Sequence, residues 1–256
     1  MEKAEDLWGY AKRLRFVCRA IDDAFPGRAP SELHLLDVGC GSGTQLGIPL
    51  AEIGYQLTGV DAHQPSIDVA ADLGKGLPNA RFICGTVNEV KTNDFDVVIL
   101  SEVLEHVADP AELLRSSIAH LKADGLAIVT VPNGYGEFEW DSWVFRSFGF
   151  ERLVERYAAR RAAENGMPPP ASSTENQDDR HIQFFTLSRL RAMFASCGLR
   201  IVDQVGSTFL SGPFAGHVLT RFVGFVDWNA RIADWLPIPF ASGWYFAVRR
   251  QPEGDK

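Results

Sequence analysis

Three glycines at alternate positions, Gly39, Gly41 and Gly43, close the apolar run Leu35-Leu36-Asp37-Val38, and this junction constrains the fold more than any other stretch of the chain. A short apolar run entering such a cluster reads as a buried strand ending in a turn, where missing side chains let backbone N–H groups approach a ligand closely. A second run, Tyr55 to Val60, reads as another strand. Asp61 at its end lies about twenty residues past the glycines, where a carboxylate can accept two hydrogen bonds from ribose hydroxyls. The combination suits an adenosine-bearing ligand. A dinucleotide fold wants G-x-G-x-x-G so that a helix N-terminus meets a pyrophosphate, whereas this chain has G-x-G-x-G followed by Thr44 and Gln45, which makes a pyrophosphate the weaker reading.

With an acidic residue ahead of its glycines and a second acid after the next strand, the chain resembles the class I S-adenosylmethionine-dependent methyltransferases. The resemblance continues in order along the sequence. Phe95-Asp96-Val97-Val98-Ile99-Leu100-Ser101 is similar to that family's fourth strand, and Glu102-Val103-Leu104-Glu105-His106-Val107 to the loop and helix start after it. Lys122-Ala123-Asp124-Gly125 followed by Ile128-Val129-Thr130-Val131-Pro132-Asn133 is similar to the fifth strand and its exit. The resemblance implies an α/β fold with a mostly parallel seven-stranded sheet, helices on both faces and an α-helical substrate cap. It implies S-adenosylmethionine as cofactor, with contacts at Asp37, Gly39, Gly41, Gly43, Asp61, Ala62, Thr86, Val87 and Ser101. Glu-x-Leu-Glu-His also occurs in the ubiquinone-biosynthesis O-methyltransferases. One departure bears on the adenine end: many relatives carry Gly-Asp after the third strand, but here Gly85-Thr86-Val87-Asn88 stands there. Thr86 offers only a hydroxyl, and Asn88 is a candidate substitute.

Composition agrees with one enzyme domain carrying elaborations. The 256 residues are 46% hydrophobic, enough chain for a full core without disulfides. Cys18, Cys40, Cys84 and Cys197 are scattered with no C-x-x-C pair, as expected of reduced thiols in a cytoplasmic protein. The opening residues lack the basic-then-apolar pattern of a signal peptide, and no apolar run approaches the roughly twenty residues of a membrane span. A net charge of −8 argues against a nucleic-acid partner, although Arg152, Arg156, Arg160 and Arg161 cluster, a pattern read as the solvated face of a helix.

Periodicity divides the chain into residues 1–32, an N-terminal helical segment; 33–133, the cofactor-binding core; 134–183, a cap insertion; and 184–256, the rest of the fold. The apolar stripe Leu7, Leu14, Val17, Cys18 and Ile21, closed by Pro26-Gly27, predicts a helix over Leu7 to Phe25, lying over the cofactor cleft. Strands are predicted at Leu33 to Val38, Gln56 to Val60, Ala80 to Cys84, Asp96 to Leu100, Ala127 to Val131, Leu199 to Val205 and Gly243 to Arg249. Helices are predicted at Pro65 to Leu73 and Pro110 to Leu121. The alternation means right-handed crossovers and a parallel sheet, the last strand being antiparallel in the family resembled. Two aromatic-rich decorations, 134–183 with a mobile loop at 168–178 and 207–240, are expected to form an acceptor-binding cap. For 207–240 an ordinary pair of core helices, an apolar substrate tunnel and a membrane-interface helix all remain open.

Methyl transfer needs an in-line acceptor and, for a hydroxyl, removal of a proton. If the segment after Ser101 is a helical turn, Glu102, Glu105 and His106 share a face. These three with His181 could hold Mg²⁺ or Mn²⁺, a pattern similar to the metal site of small-RNA 2′-O-methyltransferases. Alternatively His106, His181 and Glu105 serve as metal-free catalytic groups, or the segment is structural. The favoured function is O-methylation of an apolar, aromatic or lipid-linked small molecule, with peripheral membrane contact as a possibility. A metal-dependent RNA 2′-O-methyltransferase and a non-catalytic S-adenosylmethionine binder are the alternatives.

Overall fold

The central strands of this chain are apolar on both faces, and that decides the architecture. In a computed structural model describing residues 9–134, 182–211, 219–222 and 224–252, seven strands form one sheet in the order β3-β2-β1-β4-β5-β7-β6. They are β1 (His34–Val38), β2 (Gln56–Asp61), β3 (Ala80–Cys84), β4 (Phe95–Ser101), β5 (Leu121–Pro132), β6 (Leu199–Gly206) and β7 (Gly243–Arg250). Pairing is parallel from β3 through β5, while β7 runs antiparallel to both β5 and β6. Alternation along a strand sends successive side chains to opposite faces, so β1 and β4 feed two cores. Leu36, Val98 and Leu100 join Leu114 and Ile118 of helix α4 (Pro110–Ile118) and Leu190 and Phe194 of α5 (Leu187–Ser196) on one face. Leu35, Val97 and Ile99 meet Phe16, Val17 and Ile21 of α1 (Tyr10–Ala24) and Leu50 of α2 (Gly47–Ile53) on the other. The mostly parallel sheet with helices on both faces is the fold the resemblance implied. Among the described residues, the remaining α-helices are α3 (Gln64–Leu73) and α6 (Phe225–Trp235).

Several boundaries shift for physical reasons. The helix expected to reach Leu121 stops at Ile118, because Leu121 pairs with Phe95 and already belongs to β5. Pairing then jumps from Phe95–Leu121 to Val97–Leu126, so Lys122 to Gly125, ahead of the strand expected at Ala127 to Val131, bulges within β5. The first described helix begins at Tyr10, not Leu7; residues 1–8 lie outside the described residues, as do 135–181, 212–218, 223 and 253–256. The aromatics, arginine cluster and loop expected within 135–181, and His181, therefore fall outside the described residues. Within 207–240, one described helix is α6, with Asn229, Ala230 and Ala233 buried and Trp228 and Trp235 exposed. Among the described residues no helix is long and apolar enough to cross a membrane.

Charge pins the N-terminal edge of the sheet. The buried Asp96 carboxylate accepts from Arg28 Nη1 at 2.6 Å, the His34 backbone N–H at 2.9 Å and Lys122 Nζ at 3.0 Å, tying β4 to β1 and β5. Burial alone would raise the pKa of Asp96, but these three donors outweigh it and hold the carboxyl below its ordinary value. Asp96→Asn should therefore destabilise the protein by about 1–3 kcal/mol at neutral pH. Because the folded carboxyl is the stronger acid, the contribution is complete above the unfolded value of about 4 and fades as pH falls below it. Urea unfolding at pH 7 and pH 3 should show the variant's deficit shrinking at the lower pH.

Candidate cofactor and acceptor site

The C-terminal ends of β1, β2 and β4 open onto a cleft of about 810 Å³, lined by Asp37 to Ser42, Asp61 to His63, Gly85 to Val87, Ser101 to Val103 and His106, among others. Its location follows from the parallel sheet, where ligands bind outside the carboxyl ends of the strands. All three glycines adopt left-handed backbone, Gly43 at φ +71°, and two of them shape the cleft itself. Gly39 has φ +73°, and a Cβ there would lie 2.5 Å from Val103 Cγ2, so the loop after β1 can pass under the loop after β4 only without a side chain. Gly41, at φ +53°, has nothing within 4 Å of its would-be Cβ and leaves the cleft open beside the backbone. Gly43 packs behind the loop, where a Cβ would touch the Phe82 ring at 3.2 Å, and does not line the cleft.

Asp61 closes this loop. Its Oδ2 accepts from Gly41 N–H and its Oδ1 from His63 N–H, each at 2.8 Å. Each oxygen keeps a lone pair for a further donor, so the carboxylate can bind a vicinal diol while its orientation is fixed by backbone. Ala62, Thr86 and Val87 line the neighbouring wall. The Thr86 N–H is held by Glu89 Oε2 at 2.7 Å, and Asn88, the suggested substitute at this end, is exposed and does not line the cleft.

At the opposite end lies a group the sequence reading missed. Arg13 of α1 is buried, donates to Gln45 Oε1 at 3.1 Å and Ser101 Oγ at 3.2 Å, and sits 3.3 Å from Glu102 Oε1. Burial opposes its charge, but Glu102, Tyr245 and Tyr10 more than offset that and raise its pKa. The remaining Nε is buried without a partner. Glu102 also accepts from Thr130 Oγ1 at 2.8 Å and adopts φ +52°, strained backbone for a residue with a side chain. Nothing in the residue pattern marks Arg13, because a basic residue on an amphipathic helix ordinarily faces water.

The acids around the cleft are unequally ionised. Burial, then the charge of Asp61, pushes the Asp37 carboxyl up to about 7 against the pull of Arg13. Burial and then Glu102 push Glu105 to about 9. Neither Glu105 oxygen has a hydrogen-bond partner, and the nearest His106 contact, Nε2 to Oε1, is 3.8 Å.

The expected convergence of Glu102, Glu105 and His106 takes a different form. Glu102 stands outside the single 3-10 turn Leu104–His106 and turns to Arg13 and Thr130, Glu105 enters the interior, and His106 lines the cleft. Carboxylates paired with arginine or held neutral are poor ligands for a hard cation. Among the described residues no three His, Cys, Asp or Glu side chains come together to hold a metal; His181 lies outside them. The chain's side chains as described do not fit Mg²⁺ or Mn²⁺.

A family model for a methyltransferase domain matches residues 8–204. This chain belongs to the class I S-adenosylmethionine-dependent methyltransferases. It is 34% identical over 123 residues to the ubiquinone biosynthesis O-methyltransferase of Rickettsia akari, covering 47% of this chain and 48% of that protein. It is 40% identical over 112 residues to the protein of that name from Caulobacter sp. strain K31, covering 42% and 44% respectively. The matches thus span about half the length of these curated relatives. The methyltransferase fold is shared with geranyl diphosphate C-methyltransferase from Streptomyces coelicolor at a TM-score of 0.57 and 13% identity, covering 94% of this chain and 79% of that one.

Glu105 provides a direct check on the electrostatics. Between an unfolded carboxyl pKa of about 4.3 and the folded value of about 9, the folded state holds a proton the unfolded state has lost, so stability falls as pH rises. Glu105→Gln should remove this slope: denaturant midpoints at pH 5 and pH 8 should differ less in the variant than in the wild type. Equal pH dependence in both would show Glu105 ionised in the fold.

Proposed function

We propose that the chain transfers a methyl group from S-adenosylmethionine to an oxygen of an apolar, aromatic or lipid-linked small molecule. The observation that carries the reading is the doubly anchored Asp61 carboxylate facing an open glycine backbone at Gly41, a cradle suited to a ribose diol. Gln45, Ser101 and Glu102, which line the cleft, are held from behind by the buried Arg13. Oxygen as the accepting atom and a lipid-linked acceptor are supported by the names of the relatives from Rickettsia akari and Caulobacter.

S-adenosylmethionine bound there would supply an electrophilic methyl group for in-line displacement. The chain's own work is to hold the acceptor in line, exclude water and remove one proton. Of the two imidazoles that line the cleft, His63 is engaged with Ser66 Oγ beside Asp61, and His106, on the loop after β4, is the one assigned that last step, taking the hydroxyl proton as the new C–O bond forms and the C–S bond breaks. The Arg13–Glu102–Thr130 cluster fixes the loop carrying His106, and the neutral Glu105 beneath it adds no second negative charge.

Asp61→Ala should leave the circular dichroism spectrum unchanged and weaken S-adenosylhomocysteine binding by about 10- to 100-fold in calorimetry, the loss of strong charge-assisted hydrogen bonds. Equal affinities would overturn the cofactor assignment. With a prenylated catechol as acceptor, His106→Ala should lose most of its rate near pH 7 and recover as pH approaches the phenol pKa of about 10. A rate loss that is the same at every pH would remove His106 as the base.

A further inference from the structure

Helix α6 turns a second face away from the sheet, and much of that face is exposed. Gly224, Asp227, Trp228, Arg231, Ile232 and Trp235 follow the three- and four-residue spacing of one helix face and line a shallow groove of about 410 Å³. Trp228 is 47% and Trp235 89% exposed, far more indole surface than a folded chain ordinarily leaves in water. Phe222 and Phe240, 65% and 58% exposed, flank turns packed on the same helix. The groove is balanced in charge, with one acid and one base a helical turn apart. Among the described residues neither Asp227 nor Arg231 enters an ion pair.

We propose that this face is the contact of a symmetric homodimer, its occupant the α6 helix of a second copy. A two-fold axis perpendicular to α6 sets two copies antiparallel, so that Asp227 of each protomer meets the partner's Arg231, with Trp228 between the two ion pairs and Ile232 and Trp235 continuing the contact outside them. Such an isologous contact satisfies both charges and covers both indoles of each copy at once. A lipid surface would cover the indoles but leave Asp227 facing headgroups, and the chain's net charge of −8 works against anionic bilayers. The proposal is independent of the methyl-transfer reading, since it concerns the outer face of α6 and not the cleft.

Sedimentation velocity on the full chain tests it. Wild type should be dimeric at micromolar concentration. Arg231→Asp or Asp227→Arg alone places like charges opposite each other twice per dimer and should raise the dissociation constant at least about tenfold. The double variant Asp227→Arg/Arg231→Asp restores both pairs with their signs exchanged and should return the constant to within about threefold of wild type. Trp235→Glu should give monomer. These positions are exposed, so calorimetric S-adenosylhomocysteine affinity should remain unchanged and certifies the fold of each variant. A monomeric wild type, a dimer indifferent to the single reversals, or a double variant that stays dissociated would overturn the proposal. Flotation of wild type with phosphatidylcholine vesicles as a monomer would assign the face to lipid instead.

Discussion

Burial of β1 and β4 on both faces is the constraint on which the rest of this structure depends. Strands that carry apolar side chains on both faces cannot turn either face to water, so helices must cover both surfaces, and the connections carrying them make the central pairings parallel. Parallel strands end together, which collects the loops after β1, β2 and β4 along one edge and leaves a cleft where they diverge. The cleft exists because the core demanded the layers; Gly39, Gly41 and Asp61 then shape it. Gly39 removes the side chain that would collide with Val103, and Asp61 captures the Gly41 amide from the neighbouring strand end.

Electrostatics divide the cleft into unlike halves. At one end Asp61 is ordered by two backbone amides and keeps its acceptors for a ligand. At the other, a buried arginine is tolerated because Glu102, Ser101 and Gln45 surround it, and the cost of desolvating that guanidinium is offset by those contacts. Glu102 takes a left-handed backbone conformation to make the pairing, and the same turn sends Glu105 inward and His106 into the cleft. With Arg13 already committed to Glu102, a second buried carboxylate has no counter-charge left, so Glu105 holds its proton. One local strain therefore sets the placement of Glu102, Glu105 and His106.

The fold and several of the cleft-lining residues were legible in the sequence because they rest on local rules. Apolar runs of strand length, glycines at the turn after β1, and an acid at the end of β2 report backbone geometry and hydrogen bonding that neighbouring residues largely fix. The resemblance to the methyltransferases, extending over four ordered motifs, added the antiparallel last strand. Element ends were less legible. Whether Leu121 closes a helix or opens a strand depends on its partner Phe95, a residue remote in sequence.

What the sequence by itself determined is the layered α/β fold, the place of the nucleoside cleft and the identity of Asp61 and Gly41 within it. Only the tertiary structure decided which charged groups meet. Arg13 looks like one more basic residue on an amphipathic helix until α1 packs across β5 and β7 and delivers its guanidinium to Ser101 and Glu102. The spacing of Glu102, Glu105 and His106 suggested a shared helical face, but one positive φ at Glu102 separates them into a paired carboxylate, a buried neutral acid and a cleft imidazole. The physical reason is one of range: hydrophobic pattern and turn geometry are properties of adjacent residues, whereas the ionisation and pairing of a buried charge depend on every element that packs around it.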